Sequence, residues 1–144
     1  MFQSTITVFN YHKQTRLWYP SVISGADLIA AKASTRTTDG VNNADAVDIL
    51  INCTAAKVIT TSACGKSYTG PKEYAGCTDP ASCITFTPEQ DFIFDGAWAD
   101  LTPIDDEDYD EGLYHALNAA HDGIYMISSA AFYGLLPHFE IGGR

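Results

Sequence analysis

Polar and apolar side chains alternate along Thr5-Ile6-Thr7-Val8, the period of two that marks a half-buried strand. Leu17 to Ile23 predicts a second strand. Pro20 within it has no amide proton, so that strand belongs at a sheet edge or carries a bulge. Ala46 to Cys53 reads as a third, with Val47, Ile49, Ile51 and Cys53 on one apolar face. Cys83–Phe86 and Asp91–Phe94 predict two short strands joined by the turn Thr87-Pro88-Glu89-Gln90, with Phe92 and Phe94 on one face. Gly96 ends that unit. Ile124–Phe132 and Leu135–Ile141 read as the terminal strands. In the latter, Leu135, Phe139 and Ile141 point one way and Leu136, His138 and Glu140 the other.

Other stretches break the pattern. Ala33 to Asn43 is rich in Ser, Thr, Asp, Gly and Asn and reads as a loop. Thr54 to Ser82 carries Gly65, Gly70, Pro71, Gly76 and Pro80, which predicts an extended loop or hairpin excursion pinned by Tyr68 and Tyr74. One helix is expected, from Asp106 to His121. Tyr109, Leu113 and Leu117 recur there every four residues beside Ala116 and Ala120, and Gly123 follows as a C-terminal cap. Asp105, Asp106, Glu107, Asp108, Asp110 and Glu111 crowd its start. Negative charge is favoured there by the helix dipole but weakened by mutual repulsion. Gly112 inside such a helix costs about 1 kcal/mol relative to Ala, so docking against a sheet must supply the difference. The expectation is a mainly β fold: a compact antiparallel β-barrel or sandwich-like domain with one helix in the C-terminal third and an excursion over about 54–82.

With 144 residues, a single domain is expected. Eight basic against 18 acidic side chains give a net charge of -10, which argues against gripping phosphates through a basic face. Met1 to Asn10 has no basic start followed by an apolar core, so a cytoplasmic origin is expected. Gly123 to Phe139 is too interrupted for a membrane span. Cys53, Cys64, Cys77 and Cys83 form no C-x-x-C pair and read as reduced structural thiols, with one disulfide among the last three left open.

Chemical motifs are incomplete. Cys64-Gly65-Lys66-Ser67 resembles the end of a phosphate-binding loop, yet Thr60 stands where a glycine is needed and Gly70-Pro71 interrupts any following helix. Asp106, Asp108 and Asp110 occupy the first, third and fifth places of a calcium loop, but Glu111 and Leu117 fill the sixth and twelfth. His115 and His121 lie on different helix faces. His138 and Glu140 share a strand face without an identifiable third metal ligand. No G-x-S-x-G elbow is present. These readings predict a non-enzymatic protein with no metal and no cofactor. A disulfide-containing adhesive β domain, or a small metal-dependent hydrolase using His138, are the alternatives.

Several segments resemble the small neck proteins of long-tailed bacteriophages, of the head-closure (stopper) or minor capsid type. They are Thr5 to Asn10 with Trp18-Tyr19-Pro20-Ser21-Val22 and Gly25; Gly65-Lys66-Ser67-Tyr68 with Pro71-Lys72-Glu73-Tyr74; and Phe86-Thr87-Pro88 with Asp91 to Gly96. The tail adds Asp108-Tyr109 through Gly112, Ile127-Ser128-Ser129, Tyr133 and Pro137 to Gly143. The resemblance implies a β-barrel-like virion protein, made and assembled in the bacterial cytoplasm. It forms a ring, often sixfold, between the portal-side adaptor ring and the tail terminator or tail tube, with double-stranded DNA passing through unread. The excursion and its cysteines exceed what a minimal stopper needs. On this reading the carboxylates Asp105 to Glu111 face the channel or a basic patch on a neighbouring ring. Lys66, Tyr68, Lys72 and Tyr74 belong to a projecting loop that makes ring contacts.

Overall fold

The computed structural model describes residues 4–30, 47–59 and 66–144. The loop expected over 33–43 and Cys64 lie outside the described residues. The ten strands are β1 (Ser4–His12), β2 (Leu17–Ala30), β3 (Val47–Asn52), β4 (Val58–Ile59), β5 (Lys66–Tyr68), β6 (Cys83–Ile84), β7 (Phe92–Phe94), β8 (Ile104–Asp105), β9 (Ile124–Tyr133) and β10 (His138–Gly143). Among the described residues there are also two helices, α1 (Pro71–Ala75) and α2 (Leu113–Ala120), and short 3-10 turns at Pro80–Ser82 and Asp106–Asp108.

Six strands close an antiparallel barrel in the order β1-β7-β9-β10-β3-β2, with β2 returning to β1 and β8 added as an extra strand beside the start of β2. Closure depends on β2 serving two neighbours in turn. It pairs β1 from Leu17 to Ala26 and then β3 from Asp27 to Ala30. The handover falls at a bulge where the register shifts, and Gly25 there has φ +70, a conformation that an L side chain adopts only under strain. Pro20 pairs opposite Phe9. It lies on the part of β2 whose other edge has no strand between Trp18 and Asp27 among the described residues, so its missing donor breaks no second ladder.

Alternate residues fill the barrel. Ile6, Val8, Ile23, Ile49, Ile51, Ile93, Ile127, Phe139 and Ile141 form its core, joined by Ile59 from the excursion and by Ile84 and Phe86 just after it. A second cluster lies outside β1 and β7, where α2 lays Leu113 and Leu117 over Phe9, Trp18, Phe92 and Ile124. Strand β1 is therefore buried on both faces from Ile6 to Asn10, not half-buried as its alternation predicts. The Phe9 and Phe92 rings stack at 4.7 Å, a contact worth about 0.5–1.5 kcal/mol beyond area burial.

The two short strands expected at Cys83–Phe86 and Asp91–Phe94 form over Cys83–Ile84 and Phe92–Phe94, in different sheets. β6 pairs in parallel with β5, while β7 inserts between β1 and β9. The turn Thr87–Gln90 forms as predicted, closed by the Asp91 amide donating to Thr87 O at 3.0 Å, but it connects two sheets. The helix expected from Asp106 is likewise shorter. It begins at Leu113, because Gly112 at φ +90 breaks the helical path, and the crowded carboxylates before it form a 3-10 turn.

Candidate interaction surfaces

The acidic segment is built on β8 and the turn after it. Its six carboxylates divide by role. Asp106 turns inward: one oxygen accepts from the Trp18 indole at 2.7 Å and from the Leu113 amide at 2.8 Å. It caps α2 from seven residues upstream and ties that helix to β2. A methyl group on Gly112 would meet this same oxygen at 3.3 Å, which adds a steric reason for glycine there. Asp105 accepts from the Glu107 amide at 2.9 Å and shapes the turn. Glu107 pairs with Arg16 at 3.0 Å, and Glu111 lies 3.7 Å from His115. Both pairs are solvent-exposed and worth little. Asp108 and Asp110 are exposed.

The segment over 66–74 is not a projecting loop. It packs on the barrel as a cover. Lys66 is 8% exposed and donates to Ser21 Oγ at 2.6 Å, on the stretch of β2 that pairs with β1 alone. Tyr68 is half-buried against Phe86 and Phe139, and burial raises its phenol above the ordinary value. Tyr74 is buried with its ring edge-on to His12, and burial raises its phenol far above the ordinary range. Of the four residues expected to reach outward, only Lys72 is exposed. The physical reason is the aromatic content: rings predicted to pin the loop do so by entering the core.

A polar joint beneath this cover had no sequence motif. Asp91 is fully buried and accepts from the Tyr11 and Thr87 amides and from Asn10 Nδ2, each at 3.0 Å, and from Gln90 Nε2 at 3.3 Å. Asn10 also donates to Thr85 O and accepts from the Thr85 amide. Two side chains thus take the place of a sheet ladder between β1 and the segment returning from the excursion. Burial pushes the Asp91 carboxyl up to about 6, while its four donors hold it down.

The surface that sequence reading placed wrongly is the tip of the β9–β10 hairpin. Tyr133 pairs with His138, so Gly134 to Pro137 form the turn and β10 starts only after Leu136. Leu135 is 96% and Leu136 77% exposed, and Tyr133 beside them is 48% exposed. Leu135 does not point inward with Phe139 and Ile141, both of which are buried as predicted. His138 and Glu140 do share a face: Nε2 lies 3.0 Å from the carboxylate, and the imidazole stacks on Tyr133. The Glu140 hydrogen bond, followed by the Leu136 carbonyl, raises the His138 pKa. That contribution is complete below about pH 6.5, the unfolded value, and fades as pH rises through the higher folded value. Among the described residues, no three His, Cys, Asp or Glu side chains are grouped to hold a metal. No helix there is long and apolar enough to cross a membrane.

What the fold and these surfaces define is a small closed β-barrel protein with an acidic segment at one strand end and a bare apolar hairpin tip. The chain belongs to the DUF6751 family, a family of unknown function whose model matches residues 1–144. No curated protein and no solved structure matches it.

Proposed function

We propose that the chain is a structural virion protein of the phage head–tail connector. In this role it forms a ring that closes the DNA-filled head and joins it to the tail, beside a portal-side adaptor ring and a tail terminator or tail tube. The observation that carries a contact role is the hairpin tip. Two adjacent leucines, 96% and 77% exposed beside a half-exposed tyrosine, are a contiguous apolar patch of the kind that a protein partner covers. Such a peg, set on a barrel and seated in a different surface of the next copy, makes a head-to-tail contact that closes into a ring when the rotation closes.

The acidic segment supports the same reading. Double-stranded DNA carries one negative charge per about 1.7 Å of axis, so a wall bearing Asp105, Asp108 and Asp110 repels the duplex and lets it pass. Asp106 takes no part in this, because its charge is spent on Trp18 and α2.

Sedimentation and negative-stain imaging of the purified full chain are expected to reveal rings. Serine at both Leu135 and Leu136 should leave the melting temperature unchanged. It should weaken association roughly a hundredfold, from about 2–3 kcal/mol of lost apolar burial per contact. A wild-type chain that remains monomeric at every concentration, alone and with neck components, would refute the proposal. In a phage carrying this gene, lysine at Asp105, Asp108 and Asp110 should lower infectious yield without unfolding the protein. Unchanged yield would remove the role of the acidic segment.

A further inference from the structure

Cys77 and Cys83 face each other in the excursion with their Sγ atoms 3.6 Å apart, which is sulfur van der Waals contact without a bond. Separate devices fix their positions. Cys77 follows α1 and the Gly76 cap, and its amide donates to Tyr74 O at 3.0 Å; Tyr74 itself is buried. Cys83 is in β6, paired opposite Ser67. The link between them folds back through the 3-10 turn Pro80–Ser82, with Pro80 buried and the Ser82 amide closing onto Asp79 O at 3.2 Å. A six-residue separation in sequence thus becomes contact between two side chains held by a helix end and a strand. Both cysteines are partly exposed residues, within reach of a small reagent.

We propose that Cys77 and Cys83 are a covalent modification site, which closes to an intramolecular disulfide by exchange with a low-molecular-weight disulfide such as oxidised glutathione. Bond formation requires the sulfurs to approach to about 2.05 Å, a closure of roughly 1.5 Å that side-chain rotation supplies. In the first step one cysteine thiolate attacks the reagent, RSSR, forming a mixed disulfide and expelling RS⁻. In the second, the other cysteine loses its proton to solvent, attacks the protein sulfur of the mixed disulfide and expels the second RS⁻. The protein loses two protons and two electrons, and RSSR becomes two RSH. Burial raises the Cys83 thiol above its ordinary value, so at neutral pH the exchange is slow and accelerates in mild alkali.

The bond does not depend on the chain's role, but its consequence rests on the neck reading. A virion protein is made in a reducing cytoplasm and released by lysis into an oxidising medium. The excursion is then free to adjust during assembly and becomes covalently locked in the released particle.

The test uses the full chain, incubated with oxidised glutathione at pH 8, denatured, alkylated and digested with trypsin. The sequence has no Lys or Arg between Lys72 and Arg144, so the fragment from Glu73 to Arg144 contains Cys77 and Cys83 and neither Cys53 nor Cys64. Expected is a fragment lighter by two hydrogens that takes up no alkylating agent until it is reduced. Two free thiols, a persistent glutathione adduct, or a link to Cys53 or Cys64 would each overturn the proposal. Closing so short a loop should also raise the melting temperature by roughly 5 °C. The rise should reverse with dithiothreitol and be absent in Cys77→Ser and Cys83→Ser. If either variant fails to fold, the fragment mass and the dithiothreitol response of the wild type still decide. A positive fragment with no ring, or a ring with no linked fragment, tells the failure of one proposal from that of the other.

Discussion

Alanine at Asp91 is expected to destabilise the protein by about 3–5 kcal/mol, measured by urea unfolding at pH 7. The carboxylate satisfies two backbone amides and two side-chain amides. Removing it strands those donors around a fully buried position, with Asn10 beside it fully buried as well. The pH dependence has a definite sign. The folded carboxyl is pushed up to about 6 against roughly 3.9 in an unfolded chain, so between those values the native state holds more protons. This contribution to stability therefore falls as pH rises from about 4 to 6 and is flat above. The gap between wild type and Asp91→Ala should accordingly widen by about 1 kcal/mol between pH 7 and pH 5. A gap that narrows would show that the four donors outweigh burial.

The second large effect belongs to Asp106. Asp106→Ala removes an N-terminal cap, typically about 1 kcal/mol, and leaves the indole donor of buried Trp18 without its 2.7 Å partner, a further ~1–2 kcal/mol. A total of about 2–3 kcal/mol is expected, with loss of helical circular dichroism from α2 and a red shift in tryptophan fluorescence. Asp108→Asn and Asp110→Asn should lie within about 0.5 kcal/mol of wild type, as surface substitutions do. Equal losses at all three positions would mean that the segment acts through its summed charge.

The strands were legible because their signal is local. Period-two runs at residues 5–8 and 47–53 became β1 and β3 with Ile6, Val8, Ile49 and Ile51 inside, and Pro20 landed beside an unpaired edge. What failed was decided across the fold. Nothing near Phe9 announces that α2 covers its outer side. Nothing near Cys83 says that β6 will pair with Ser67 and Tyr68. The helix was overextended because Tyr109, Leu113 and Leu117 keep a four-residue period across Gly112, and hydrophobic spacing does not register a positive φ. Leu135 and Leu136 read as part of a strand because the parity of Leu135 fits Phe139 and Ile141. The pairing of Tyr133 with His138 turned them into a tip. The aromatic signal in Tyr68 and Tyr74 was read correctly as anchoring but wrongly as outward reach.

Closure of the six-stranded barrel governs the kind of joint this protein can make. Among the described residues each barrel strand is flanked by two others, with β7 covering Thr7–Phe9 of β1 and Ile124–Met126 of β9 and a gap beside Pro20, so only partial stretches of backbone are left to zip onto a stranger's strand. Neighbours that meet it away from those stretches do so through side chains. Such seams can form and part repeatedly while every subunit keeps its shape, and they are poor seeds for fibrous aggregates.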